Sequence, residues 1–195
     1  MKNICLTFDD GPHKKFTNII LYILKQHNIK ATFFVLGKRI PHNLDVIKRI
    51  LEEGHDIGNH TYDHKDCTKL SDYEIIDTIT KTNDLLKTNF NYTPKYVRLP
   101  YGRGVKDYNI NQIFTSLDLK HIGWDIDPRD WDKQYKYVDI VKTTLNQLSN
   151  SQKDRFVILF HDYSNNHDRY YSETIKALNM LLPILKSKGY NFTKI

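Results

Sequence analysis

Cysteine is scarce: Cys5 and Cys67 are the only two in 195 residues. They form no CxxC pair, so the chain is neither a disulfide scaffold nor a cysteine-rich zinc module. No apolar run approaches the roughly 20 residues of a membrane span. The formal charge is +6, yet no five or six basic residues run together, which excludes a basic arm and argues against nucleic acid as a partner. No secretory leader is visible, because the short apolar stretch at the start leads straight into acids. The chain as written is therefore expected in the cytoplasm, or secreted or packaged if a leader is trimmed or release is by lysis. With 8 glycines, 6 prolines and no low-complexity segment, nothing marks a linker, and residues 1–195 read as one domain.

What is present is an alternation. Short β-branched and aromatic runs predict buried strands at residues 4–8, 31–36, 55–59, 96–99, 120–125, 155–160 and, more weakly, 191–194. Between them lie apolar stripes at helical spacing: Phe16, Ile19, Ile20, Ile23 and Leu24; Leu44, Ile47 and Leu51, stopped by Gly54; then Ile76, Ile79 and Leu86 behind a capping box, Ser71 to Glu74. Further stripes fall at 110–117, 138–148 and 175–185. Strand alternating with helix implies an α/β fold with a parallel sheet, either open and doubly wound or closed as a barrel.

The reactive side chains decide between these. Asp9 and Asp10 follow the first strand, His60 and His64 the third, Arg98 ends the fourth, Asp127 and Asp130 follow the fifth, and His161 the sixth. All fall at carboxyl ends, where α/β folds place their sites. Residues from five strands converge most readily at a barrel mouth, so a (β/α) barrel of about seven parallel strands is expected.

The adjacent acids in Cys5-Leu6-Thr7-Phe8-Asp9-Asp10-Gly11-Pro12 pose a problem, since neighbouring carboxylates repel and burial penalises both. Either both face water, or a cation sits between them. His60-Thr61-Tyr62-Asp63-His64 sets two imidazoles four positions apart, and two histidines with a carboxylate make a common divalent-metal site with open positions. One acid would then bind the metal, and its neighbour would act on the metal-bound water.

These residues resemble the polysaccharide deacetylases, the NodB-homology domains of carbohydrate esterase family 4. Thr7-Phe8-Asp9-Asp10-Gly11-Pro12 is similar to the first motif and His60-Thr61-Tyr62-Asp63-His64 to the second, H(S/T)xxH. Arg98-Leu99-Pro100-Tyr101 matches RxP(Y/F), Asp127-Pro128-Arg129-Asp130-Trp131 matches DxxDW, and Leu159-Phe160-His161 matches LxH. All five occur in family order across most of the chain. The resemblance implies a distorted (β/α) barrel with an incomplete strand set.

It also implies roles. Asp10, His60 and His64 would hold a divalent metal, most simply zinc, with cobalt or another transition metal as substitutes. Asp9 would be the general base, oriented by Arg98, and His161 the general acid, set by Asp130. The Tyr101 backbone N–H would steady the oxyanion, Trp131 and Leu159 would wall the acetyl pocket, and Thr61 would brace the histidine loop. The expected activity is hydrolysis of acetamide groups on an N-acetylglucosamine-containing glycan, of chitin-oligomer or peptidoglycan type. Alternatives are O-deacetylation of acetylated xylan, a sugar-binding module without turnover, and a metal-independent relative acting on cyclic amides. The faces of Tyr62, Tyr101, Trp131 and Tyr163 are candidate sugar platforms, and residues 162–171 are expected to line the groove. Trp124 is expected to be packing, and His55 and Asn59 scaffolding.

Overall fold

The structure is a computed structural model that describes residues 2–163 and 169–195. Its strands are β1 (Asn3–Asp9), β2 (Thr32–Val35), β3 (Asp56–Asn59), β4 (Tyr96–Val97), β5 (Lys120–His121), β6 (Arg155–His161) and β7 (Asn191–Phe192). They form one seven-stranded sheet in the order β5-β4-β3-β2-β1-β6, with β7 also paired to β1. Every pairing is parallel. Among the described residues the α-helices are α1 (Phe16–Gln26), α2 (Leu44–Glu52), α3 (Asp72–Phe90), α4 (Tyr108–Ser116), α5 (Tyr137–Ser149) and α6 (Arg169–Ser187).

Local chemistry places these elements. The Ser71 side chain accepts from the Glu74 N–H while Glu74 reaches back to the Ser71 N–H, so α3 opens on the capping box read in the sequence. Gly54, at φ +79°, follows α2 in the left-handed region that glycine adopts without strain. Along β1 the side chains alternate. Ile4, Leu6 and Phe8 join the core between the sheet and α1, α2, α5 and α6, whereas Thr7 and Asp9 turn inward to meet Arg98. A second apolar cluster joins α3, α4 and β4 through Ile79, Val97, Ile110 and Phe114.

The strand expected at 120–125 is split. Lys120 and His121 pair with Tyr96 and Val97 of β4. Five residues on, Ile126 bridges Ile158 of β6, and the Leu159 N–H donates to the Ile126 carbonyl at 3.0 Å. Between these points the Arg98 side chain occupies the carbonyls of Ile122 and Gly123, at 3.0 and 2.9 Å. A guanidinium thus takes the place of a ladder, and the sheet curls until its two edges meet through one bridge. That is the distorted barrel. Likewise β4 stops at Val97, two residues short of the expected end, because the chain turns into a 3-10 segment at Pro100–Gly102.

Candidate active site

The five motif loops converge on a cleft of about 630 Å³ at the carboxyl end of the sheet. Asp9, Asp10, His60, His64, Tyr101, Asp130, Trp131, Leu159 and His161 all line it. Arg98 lies beneath them, fully buried.

These loops need unusual backbone. Asp10, Thr61, His64, Tyr101 and Arg129 all have φ between +59° and +76°, five of the eight non-glycine residues of that kind among the described residues. Side chains rarely adopt the left-handed region without local support. In the histidine loop that support is visible. Asn59 Oδ1 accepts the Thr61 N–H at 2.7 Å, Thr61 Oγ1 accepts the His64 N–H at 3.1 Å, and Thr78 Oγ1 accepts the Tyr62 N–H at 2.9 Å. Asn59 is therefore scaffolding, as expected, and Thr61 braces the loop. His55 is scaffolding as well: its buried Nδ1 accepts the Ala31 N–H at 3.1 Å, and burial lowers its pKa to about 4.

Asp10, His60 and His64 bring one ligand atom each within 4.8 Å of one another. Asp10 Oδ1 stands 3.4 Å from His60 Nε2 and 3.2 Å from His64 Nε2, and it is buried without a hydrogen-bond partner. An orphaned carboxylate oxygen facing two imidazole nitrogens fits a divalent cation. His60 Nδ1 lies 2.9 Å from the Arg98 carbonyl, which fixes its proton there and leaves the Nε2 lone pair for a metal. The Tyr101 ring packs edge-on against His64 at 4.6 Å.

Two further pairs flank the cluster. Arg98 Nη1 donates to Asp9 Oδ1 at 2.7 Å and to Thr7 Oγ1 at 2.8 Å, while its guanidinium lies 4.1 Å from the Phe34 ring centre. Asp9 Oδ2 is left 3.7 Å from His60 Nε2, beside the cluster. On the other flank, Asp130 Oδ1 accepts from His161 Nδ1 at 2.8 Å and Asp130 Oδ2 accepts the His161 backbone N–H at 2.9 Å. Burial alone pushes the His161 imidazolium down, but the Asp130 carboxylate, with Asp10 and Asp9 behind it, raises its pKa to about 10.

Several contributors escaped the sequence reading. Thr174 of α6 donates to Asp130 Oδ2 at 3.0 Å. Gln147 of α5 clamps both the N–H and the carbonyl of Asp127, at 2.9 and 2.7 Å. The Asp127 carboxylate in turn accepts the Trp131 indole N–H at 3.2 Å, holding a ring that is 52% exposed. Neither Thr174 nor Gln147 carries a spacing signal, since each meets its target only after folding. Asp162, beside His161, is buried against Gly11 and accepts from Thr17 Oγ1 at 2.5 Å.

Other readings change. Trp124 lines the cleft, with its ring over Gly102, so it is more than packing. Of the four candidate platforms, Tyr101 and Trp131 are exposed. Tyr163 reaches the cleft, but its faces are covered by the Arg39 guanidinium, at 3.2 Å, and by His13, at 5.2 Å. Tyr62 does not line the cleft. Of the expected groove segment 162–171, residues 164–168 lie outside the described residues.

The fold defines the class: a curled parallel (β/α) barrel with a carboxylate–imidazole cluster at its carboxyl end. Sequence comparison gives the family. Residues 1–122 match polysaccharide deacetylase, and the chain belongs to that family. It is 39% identical over 194 residues to a peptidoglycan-N-acetylglucosamine deacetylase of Bacillus cereus, covering 98% of this chain and 66% of that protein. It is 31% identical over 198 residues to a chitooligosaccharide deacetylase of Bradyrhizobium, covering 97% and 87%. The solved structure of a peptidoglycan N-acetylglucosamine deacetylase bound to a naphthyl-substituted N-oxidanyl-benzamide superposes with a TM-score of 0.89 at 36% identity, covering 99% of this chain and 86% of that one. The chain thus spans just under two thirds of the B. cereus relative. Among the described residues no helix is long and apolar enough to cross a membrane.

Proposed function

We propose that the chain is a metal-dependent hydrolase that removes acetyl groups from the acetamides of an N-acetylglucosamine-containing glycan. The observation that carries this reading is the opposite pairing of two acids around one cluster. Asp9 is held by a permanent cation, Arg98, and Asp130 by a titratable one, His161. One site thereby has a carboxylate ready to accept a proton and an imidazolium ready to give one.

Asp10, His60 and His64 would hold the ion. Bound there, a divalent metal such as zinc supplies Lewis-acid polarisation of the amide carbonyl and acidifies water. The rest is done by side chains. Asp9 Oδ1 is committed to Arg98, so Oδ2 takes the proton of the attacking water. His161 Nδ1 is committed to Asp130, so Nε2 delivers the proton that lets the amine leave. Amide hydrolysis needs that acid, because an unprotonated amine leaves poorly. Tyr101 supplies its backbone N–H to the developing oxyanion, while Trp131 and Leu159 wall the acetyl methyl.

The test is acetate release from N-acetylglucosamine oligomers, with untreated protein, after chelation, and after adding back zinc or cobalt. Acetate that vanishes with chelator and returns with metal is the expected result. Full activity in metal-free protein would overturn the reading in favour of a metal-independent relative. Acetate from acetylated xylan alone would move the substrate to an ester.

A further inference from the structure

Lys38 is the one lysine or arginine among the described residues lining the cleft. Its place is fixed from the backbone outward. The N–H groups of Gly37 and Lys38 donate to the carbonyls of Thr61 and Tyr62 in the histidine loop, at 3.0 and 2.9 Å. Such an approach requires glycine at 37, where a Cβ would lie 2.3 Å from Thr82 Oγ1 and 2.7 Å from the Tyr62 ring. The Lys38 ammonium then reaches over the loop to the Asp63 carbonyl at 3.3 Å.

The charges around it are committed elsewhere. Lys65 pairs with Asp63 at 2.9 Å, Arg103 with Asp66 at 2.7 Å, and Arg129 with Asp132 at 2.9 Å. Asp9, Asp127 and Asp130 face Arg98, Trp131 and His161. Among the described residues no carboxylate pairs with Lys38, whose ammonium holds one neutral carbonyl and two further donors unspent. A lysine anchored beside the histidine loop, in a cleft where Asp9, Asp63, Asp127 and Asp130 have other partners and Asp10 faces His60 and His64, can take an anion from the ligand.

We infer that Lys38 is a specificity determinant that binds a carboxylate carried by the glycan next to the acetamido sugar, so the preferred substrate is an anionic glycan and not a neutral chitin oligomer. This rests on the deacetylase reading above. Two sources share the chemistry: a carboxylate on the neighbouring sugar itself, as in an ether-linked lactyl group, or one on an attached peptide.

The experiment compares kcat and KM on three substrates: chitin oligomers, peptide-free N-acetylglucosamine–N-acetylmuramic acid strands, and peptide-bearing strands whose lactyl group is amidated. For wild-type protein, kcat/KM on at least one anionic strand should exceed that on chitin oligomer by about tenfold, mostly through KM, and the preference should shrink as salt rises. Lys38→Gln should bring the ratio towards one, and Lys38→Glu should invert it. The peptide-free strand winning assigns the sugar carboxylate; the peptide-bearing strand winning assigns the peptide. An equal rate on all three, or a preference that survives both substitutions, overturns the role of Lys38 while leaving deacetylation standing. Acetate from none of them, with metal bound, overturns the proposed function and this inference with it.

Discussion

Arg98 meets Asp9 at 2.7 Å inside the barrel, with side-chain exposures of 0% and 3%. The same guanidinium holds the carbonyls of Ile122 and Gly123. One side chain therefore closes the curl of the sheet and orients the proposed base. A buried ion pair broken on one side leaves an uncompensated charge and costs about 3–5 kcal/mol. Arg98→Met should lower stability by that order, measured by denaturant unfolding. Asp9→Asn removes the base and the counter-charge of Arg98 but keeps a neutral acceptor for the guanidinium, so it should cost less stability than losing the contact outright. It should retain the fold and metal content while kcat falls by about a thousandfold. Wild-type turnover in Asp9→Asn would end its assignment as base.

The cation site makes a separate prediction. His64 approaches Asp10 Oδ1 at 3.2 Å and is less buried than His60, with 23% of its side chain exposed. Its replacement by alanine removes a ligand at the rim, without cutting the His60–Arg98 link below. His64→Ala should therefore fold normally but lose metal along with activity, as read by elemental analysis after dialysis. A full metal load would exclude His64 as a ligand.

Thr174 extends the acid pair by one step. Its hydroxyl is buried and donates to Asp130 Oδ2, so it shares with His161 the carboxylate that holds the imidazole proton. In Thr174→Val, Asp130 loses that donor and its charge falls more fully on His161, which releases its proton less readily. The alkaline limb of the kcat profile should move to higher pH while its plateau falls about fivefold. Thr174→Ser should restore both. A packing defect alone would lower the melting temperature without moving the limb.

Much of this site is legible in the sequence because its chemistry is local. Asp9-Asp10, the two histidines at 60 and 64, and Arg98, Asp130 and His161 each sit at the end of an apolar run, and a parallel fold gathers strand ends on one side. The Ser71 capping box is legible for the same reason, being settled within four residues. Gln147 and Thr174 are not legible. Each lies on a helix with ordinary spacing and meets its target only in the tertiary fold. The split of the expected strand at 120–125 also escapes, because its cause is Arg98, more than 20 residues away in the chain. Trp124 reads as packing because an aromatic residue at a strand end has the same sequence signature whether it faces a core or a cleft.

Asp162 yields the prediction that separates stability from catalysis. Its side chain is buried behind the Asp10-Gly11 turn, with Oδ2 bonded to Thr17 and Oδ1 without a partner. Burial, with Asp10 and Asp9 nearby, raises its pKa from 3.8 to about 7, although Thr17 and Arg39 pull the other way. The folded protein therefore holds a proton that the unfolded chain gives up. The stability this contributes is complete below about pH 3.8 and is lost as pH rises towards about 7. The loss is at most about 4 kcal/mol. Asp162→Asn has nearly the shape of the protonated acid, still accepts from Thr17, and cannot ionise. Denaturant unfolding of chelator-treated protein should find the variant equal to wild type near pH 4 and more stable by about 1–3 kcal/mol near pH 8. Equal stability at both pH values would mean that Asp162 is already charged in the fold, and a variant weaker at pH 8 would mean that its charge is held by a cation.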